Sequence, residues 1–125
     1  MAVTNYLSTK LLDHVLGNGV YAPPAQLFVG LHVANPTPAG DTSSEVTGGS
    51  YSRQESSFNP ASPDADLAIA LVFTALPAAT ITYAGLWDAL AGGNLLFYGA
   101  FATPRVIEEN GGLDIAVGEI VWGLD

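Results

Sequence analysis

The sequence contains no cysteine and only three lysine or arginine residues among its 125 residues. Without cysteine the chain has no disulfide framework, no thiolate nucleophile and no cysteine metal site. Twelve acidic residues give a net charge of −9, which argues against nucleic acid because phosphate contacts need clustered basic side chains. The same acidity disfavours contact with an anionic membrane surface. We therefore expect neither nucleic acid nor a membrane as a partner.

Charged residues and long hydrophobic runs are scarce as well. Charged side chains make up 12% of the chain, about half the share of an ordinary soluble domain. Either much of the surface is neutral, or other chains cover it. No run approaches the roughly 18 apolar residues of a membrane span, and the N-terminal MAVTNYLSTKLLDHVLG does not follow the pattern of a signal peptide. We expect synthesis in a cytoplasm and one domain over residues 1–125.

Helical spacing of apolar residues occurs near the start of the chain. The residues concerned are Tyr6, Leu7, Leu11, Leu12, Val15 and Leu16. Thr4 or Asn5 is suited to cap the beginning of a helix there, and Gly17 is suited to end it. The sequence thus predicts one short amphipathic helix.

Everything after this helix has the pattern of β-strands. In QLFVGLHVA, Leu27 and Val29 point to one face, while Phe28 and His32 point to the other. Similar segments follow at SYSRQESSF, LAIALVF, TITYAGLWDA, NLLFYGAF, LDIAV and EIVWGLD. The recurrence predicts a mainly β fold: an antiparallel β-sandwich or barrel-like domain with one short N-terminal helix.

Glycines mark the expected turns between these strands. Gly92, Gly93 and Asn94 supply the positive-φ residues of a tight hairpin. Gly111 and Gly112 predict a second hairpin, and Gly118 predicts a bulge or turn between the last two strands.

Residues that could carry catalysis or bind a metal are few. His14 and His32 are interpreted as capping or packing residues, because no acid is placed to complete a site with them. Acidic residues near turns leave a structural calcium open, although their spacing matches no calcium loop and solvated charge is the favoured interpretation. These residues are Asp64, Asp66, Glu108, Glu109 and Asp114. No serine lies in a Gly-x-Ser-x-Gly elbow. The sequence therefore predicts no catalytic residue, no metal site and no cofactor.

Aromatic and basic residues on the strands allow two interpretations each. Trp87, Phe97 and the other strand aromatics are expected to pack in the core, and a carbohydrate-stacking row is the alternative. Arg53 and Arg105 are each expected to pair with a carboxylate, and a buried pair would be costly to break.

Five motifs in a fixed order resemble a family of small virion proteins of tailed bacteriophages, which are labelled as tail fibre, minor structural or decoration proteins. The motifs are LLDH at 11–14, GLH at 30–32, NPT at 35–37, EVTGGSYSRQ at 45–54 and GLWDALAGGNL at 85–95. Together they extend over most of the chain. The resemblance implies a non-enzymatic structural protein of the virion, made in the host bacterial cytoplasm.

The resemblance leaves the place in the particle open. A compact acidic domain without a shaft-like repeat favours a capsid decoration (cement) protein, which stabilises the head through many contacts with the major capsid protein. A tail fibre or tail-tip component involved in host attachment and contacting tail proteins is the alternative, and a glycan-binding module is a more remote one. We expect a homo-oligomer, with a trimer as one form.

The long loop at 35–50 lies between two strands and consists of small, polar, turn-forming residues. Loops of that length in compact domains are most often functional or disordered. We expect the loop and its exit to contact a neighbouring subunit, and a mobile loop beside a surface salt bridge is the alternative. The predicted contact residues are Asn35, Pro36, Pro38, Glu45, Tyr51 and Arg53.

Overall fold

The structure is a computed structural model that describes residues 2–124. In chain order its elements are β1 (Ala2–Val3), α1 (Asn5–Val15), β2 (Leu27–His32), β3 (Gln54–Ser56), β4 (Ala65–Asp66), β5 (Leu71–Leu76), β6 (Ala79–Trp87), β7 (Leu95–Ile107), β8 (Gly111–Ile115) and β9 (Val121–Trp122). A short 3-10 turn, Thr42–Ser44, lies within the long loop after β2. The prediction of a mainly β fold with one N-terminal helix is confirmed.

Helix α1 begins and ends where its sequence predicts. The Thr4 side chain caps the first turn by accepting a hydrogen bond from the Leu7 amide at 3.4 Å. The Thr4 hydroxyl also donates to the Leu95 carbonyl at 2.7 Å, which ties the cap to β7. At the other end Gly17 has a φ of 80°, a left-handed conformation that glycine adopts without strain. No helix within residues 2–124 is long and apolar enough to cross a membrane.

Five strands form one antiparallel sheet in the order β1, β7, β6, β2, β3. The β6 and β7 strands are joined by a loop in which Gly92 and Gly93 have φ values of 63° and 71°. The predicted hairpin is therefore confirmed, although its loop is longer than a tight turn. The Asp88 carboxylate closes this loop by accepting from the Asn94 amide at 2.7 Å.

Two smaller antiparallel pairs, β5 with β8 and β4 with β9, complete the fold. Side chains from the five-stranded sheet and from both pairs meet in one buried cluster, which includes Leu31, Phe73, Ile81, Ile115 and Trp122. This arrangement is a β-sandwich-like domain. The barrel-like alternative does not apply, because the sheets do not close on one another.

A second, smaller cluster covers other side chains of the main sheet. Phe28, Trp87, Leu95 and Tyr98 pack together there. Because β2 contributes to both clusters, five of its six residues are buried. Burial on both sides of β2 explains why both faces of QLFVGLHVA are apolar.

Some predicted elements differ from the structure. The second hairpin at Gly111 and Gly112 is wrong, because both glycines lie in β8 and β8 pairs with β5 and not with β7. The turn before β8 instead uses Asn110, which has a φ of 63°. The expected strand SYSRQESSF is reduced to β3, while Gly118 does form the predicted turn with a φ of 79°.

Candidate functional site

The long loop at 35–50 folds back along β2 and does not extend away from the domain. The Val33 amide donates to the Ser44 carbonyl at 2.8 Å, and the Val46 amide donates to the Leu31 carbonyl at 2.9 Å. These backbone bonds attach the second half of the loop to the end of the strand that precedes it.

Short polar side chains shape the first half of the loop. The Asn35 carboxamide oxygen accepts from the Thr37 amide, and the Asp41 carboxylate accepts from the Ser43 amide, both at 2.8 Å. Such side-chain bonds to the backbone two residues ahead favour turns over extended structure. Between them Pro36 is fully buried. The loop is thus packed against the domain by its own residues.

An ion pair fixes the exit of the loop to its middle. Arg53 Nε donates to Glu45 Oε2 and Arg53 Nη2 donates to Glu45 Oε1, each at 2.8 Å. The two side chains are only 5% and 13% exposed, so water screens the pair little. Burial alone would raise the pKa of Glu45, but hydrogen bonds from Arg53 and Tyr51 outweigh burial and hold the pKa below its ordinary value. Glu45 is therefore a buried carboxylate anion.

The Tyr51 hydroxyl links this ion pair to β2. It donates to Glu45 Oε2 at 2.6 Å and accepts from the Leu31 amide at 3.0 Å. Burial and the hydrogen bond to Glu45 raise the pKa of Tyr51, so the phenol stays protonated. Its ring stacks near Phe73 with a centroid distance of 6.3 Å. Tyr51 thus connects the polar cluster to the apolar core.

Arg53 also reaches the β6–β7 loop. Its Nη1 donates to the carbonyls of Ala89 and Gly92, both at 2.8 Å. The guanidinium carbon lies 3.8 Å from the centroid of the Trp87 ring, close enough for a cation–π interaction. A single buried side chain therefore holds two loops that are distant in the sequence.

His32 is the fourth buried polar member of this cluster. Its Nδ1 lies 2.9 Å from the Ser44 hydroxyl, and its ring stacks on Trp87 with a centroid distance of 5.9 Å. Burial lowers the pKa of His32 to about 4, against an opposing effect of Glu45 and with a further lowering by Arg53. At neutral pH the imidazole is uncharged. Within residues 2–124 its Nε2 has no hydrogen-bond partner.

Two facing glycines make room for the cluster. Gly30 on β2 and Gly85 on β6 are directly opposite each other. A Cβ at Gly30 would lie 3.0 Å from Glu45 Oε2, Trp87 Nε1 and Tyr51 Oη. The absence of side chains at these positions lets the polar groups sit on the sheet.

Gly85→Ala is expected to lower the free energy of unfolding by about 1–3 kcal/mol, in the range of overpacked cores. The new methyl group would lie 2.7 Å from Leu95 Cδ1 and 2.8 Å from His32 Nε2, and both side chains are buried. Gly19→Ala is the matched control, since the nearest described atom to its added Cβ is Asp13 Cβ at 3.9 Å. The free energy of unfolding of both variants is measured by urea unfolding. Equal losses in the two variants would contradict the close packing at Gly85.

The cluster holds its charged groups in contacts with one another. Both oxygens of Glu45 and the guanidinium of Arg53 are engaged within the fold. His14 lies elsewhere, at the exposed end of α1, where its Nδ1 accepts from the Tyr21 amide at 3.2 Å. Among the residues described, no three histidine or acidic side chains are grouped to hold a metal ion. The arrangement is suited to fixing loops.

The six predicted contact residues fall into two groups. Asn35 and Pro38 are exposed at the surface of the loop. Pro36, Tyr51 and Arg53 are buried or half-buried, and Glu45 is mostly buried beside them. The structure brings Glu45, Tyr51 and Arg53 into one network. Asn35, Pro36 and Pro38 lie in the separate turn at the start of the loop.

Arg53 and Arg105 each pair with a carboxylate, as predicted. The partner of Arg105 is Glu119, at 2.8 Å.

Sequence reasoning missed four residues of this network. Trp87 was expected in the core, but its stacking on Arg53 and His32 was not anticipated. Ser44 and the facing pair of Gly30 and Gly85 were also unassigned. A signal does exist for the glycines, because a glycine in the middle of a strand indicates close approach of another group.

The fold is β-rich, and its buried polar cluster joins two of its loops. The sequence matches, over residues 2–123, the family described as podophage GP4 fiber I protein gp80. The chain belongs to this family, which confirms the resemblance to small virion structural proteins of tailed phages. Comparison with curated proteins gives no match.

Proposed function

We propose that the chain is a non-catalytic structural subunit of a phage tail fibre, in which one domain over residues 1–125 contacts other virion proteins. The match to a fibre protein family over residues 2–123 is the observation that carries this proposal. The proposal reverses the preference for a decoration protein that the sequence alone favours. We propose further that the subunit is a homo-oligomer and resides in the virion.

The long loop would serve as a contact surface that is ordered before its partner binds. Asn35 and Pro38 are exposed on it, while the Glu45–Arg53 pair keeps its other end in place. A surface that is already ordered loses less conformational entropy on binding than a mobile loop does. The two groups of residues would thus have different parts: the exposed ones meet the partner, and the buried ones hold their position.

Capsid decoration is the second candidate function. The structure is compact, and 12% of its residues are charged, which suits a protein packed repeatedly against the major capsid protein. In that role the same exposed loop would contact neighbouring capsid subunits.

The copy number per particle separates these two functions. Quantitative mass spectrometry of purified virions would measure this chain relative to the major capsid protein. We expect a small fraction of the capsid value, as for a tail component. A copy number comparable to that of the major capsid protein would overturn the fibre proposal and support decoration. Antibody labelling of intact particles in electron microscopy gives an independent location at the tail or the head.

A further inference from the structure

Two asparagine–glycine pairs occur in the chain, at Asn18–Gly19 and at Asn110–Gly111. In such a pair the backbone nitrogen of the glycine can attack the side-chain amide carbon of the asparagine, because glycine has no side chain to shield its nitrogen. Asparagine belongs for this reason to the thermolabile residues. Both asparagines are exposed, so exposure alone does not distinguish them. The two pairs differ in what holds the glycine nitrogen.

The Asn18–Gly19 pair follows the end of α1 and lies outside regular secondary structure. The Asn18 amide donates to the Asp13 carbonyl at 2.8 Å, which fixes the chain before the pair. The Gly19 amide has no backbone acceptor within residues 2–124. An added Cβ at Gly19 would lie 3.9 Å from Asp13 Cβ, the nearest described atom, so the space around Gly19 is open. The Gly19 nitrogen is therefore free to turn towards the Asn18 side chain.

The Asn110–Gly111 pair is held by hydrogen bonds on both residues. The Asn110 amide donates to the Leu76 carbonyl at 2.9 Å, and the Gly111 amide donates to the Glu108 carbonyl at 2.8 Å. Gly111 also begins β8 and lies opposite Leu76 of β5 in the strand pairing. Turning the Gly111 nitrogen towards the Asn110 side chain breaks the bond to Glu108. The loss of one such bond slows a reaction that requires it by about tenfold.

We propose that Asn18 is a site of spontaneous deamidation in the folded protein and that the fold protects Asn110. The Gly19 nitrogen forms a bond to Cγ of Asn18, and the bond from Cγ to the side-chain nitrogen breaks. That nitrogen leaves as ammonia, with the proton that the Gly19 amide gives up. Water then opens the five-membered imide ring. Opening at the side-chain carbonyl gives aspartate, and opening at the backbone carbonyl gives isoaspartate.

Either product changes the connection between α1 and β2. Each adds a negative charge to a chain whose net charge is already −9. The charge appears at the C-terminal end of α1, where the backbone carbonyls carry partial negative charge. Isoaspartate also lengthens the main chain just before Tyr21, whose amide donates to His14 Nδ1 at 3.2 Å. The modification should loosen the end of α1, and it does not depend on a head or tail location.

Peptide mapping of the purified full chain, sampled during incubation at mildly alkaline pH, tests the proposal. Trypsin cleaves after lysine and arginine, which places Asn18 in fragment 11–53 and Asn110 in fragment 106–125. Deamidation adds the mass difference between OH and NH2. We expect fragment 11–53 to gain this mass at least about ten times faster than fragment 106–125. Equal rates in the two fragments, or a faster gain in 106–125, would overturn the proposal.

Isoaspartate in fragment 11–53 identifies the chemical route. Direct hydrolysis of a side-chain amide gives only aspartate, whereas opening of the imide ring gives both products. An isoaspartyl methyltransferase labels isoaspartate, and we expect it to label this fragment. Asn35, the other asparagine of the fragment, precedes Pro36, whose nitrogen has no hydrogen to give up. A gain of mass without labelling would rule out attack by the Gly19 nitrogen.

Gly19→Ala tests the identity of the attacking nitrogen. The added methyl group lies in open space, so the fold is kept, but it shields the nitrogen beside it. We expect the gain of mass in fragment 11–53 to slow by about tenfold or more, as when a near-attack geometry is lost. Fragment 106–125 should keep its rate and serves as the internal control. An unchanged rate in 11–53 would overturn the proposal.

Incubation in urea separates protection by the fold from the effect of neighbouring residues. In the unfolded chain the Gly111 amide no longer donates to Glu108, so Asn110 should react about as fast as Asn18. If fragment 106–125 stays slow in urea, the fold does not protect Asn110, and the structural basis of the proposal fails.

Discussion

Replacing Arg53 by methionine is expected to lower the free energy of unfolding by about 3–5 kcal/mol, because it leaves the Glu45 carboxylate buried without its cation. The same change removes the hydrogen bonds to the Ala89 and Gly92 carbonyls and the contact with the Trp87 ring. Urea unfolding followed by far-ultraviolet circular dichroism measures the loss. Methionine fills much of the arginine volume, so a cavity does not dominate the result.

Arg105→Met is the matched control for this prediction. Arg105 also pairs with a glutamate at 2.8 Å, but the two side chains are 29% and 32% exposed. Exposed pairs contribute about 0–1 kcal/mol, so the control should lose much less stability. If both variants lose a similar free energy of unfolding, burial does not make the Glu45–Arg53 pair more important for stability than the exposed pair.

A double variant separates the uncompensated charge from the lost contacts. Glu45→Gln combined with Arg53→Met removes both charges and leaves a neutral amide near Tyr51. We expect it to be more stable than Arg53→Met alone, because the penalty of an unpaired buried carboxylate disappears. A double variant that is less stable than Arg53→Met would show that Glu45 contributes mainly through its bond to Tyr51.

Acidification is expected to destabilise the protein through His32. The ordinary pKa of a histidine is 6.5, and that of His32 in the fold is about 4. Between these values the unfolded chain binds a proton that the folded chain does not, so stability is full above pH 6.5 and is lost as the pH falls towards 4. The difference corresponds to about 3 kcal/mol. Because its own pKa is also lowered, Glu45 adds a loss of the same sign at still lower pH.

The free energy of unfolding at several pH values, from urea curves, checks this expectation. His32→Gln removes the titrating group, so its stability should change much less over the same interval, whatever its stability at neutral pH. His14→Gln is the control, since His14 is exposed at the end of α1. If the free energy of unfolding of His32→Gln falls with pH as steeply as that of the wild type, groups other than His32 cause the acid sensitivity.

Local patterns in the sequence predicted the local structure well. Helix α1 was predicted because its apolar spacing, its Thr4 cap and Gly17 all lie within one short segment. The β6–β7 hairpin was predicted for the same reason, since its glycines determine the backbone there. Such elements depend on neighbours in the chain, which a sequence shows directly.

Pairing between distant segments was harder to predict. Glycine at 111 and 112 suggested a hairpin, but the preference of β8 for β5, some forty residues earlier, depends on tertiary packing. Arg53 was correctly expected to find a carboxylate, yet its contacts with Ala89 and Gly92 lie 36 and 39 residues away. No spacing rule connects positions so far apart. The sequence also does not show that the loop folds back on β2, so the contacts of Tyr51 and Arg53 within the domain were not predicted. Their contact with a neighbouring subunit stays a prediction.

The edges of the main sheet bear on how the protein behaves at high concentration. β7 is 13 residues long, but within residues 2–124 β1 pairs with it only at Phe97 and Tyr98. Between the pairs Ile81–Arg105 and Tyr83–Ala100 the register shifts, and Pro104 lies in this irregular stretch without an N–H group to donate. A bulge, a proline and a charge at Arg105 are features that prevent strands of different molecules from joining. The exposed backbone at this edge therefore offers a neighbouring molecule little opportunity for strand pairing.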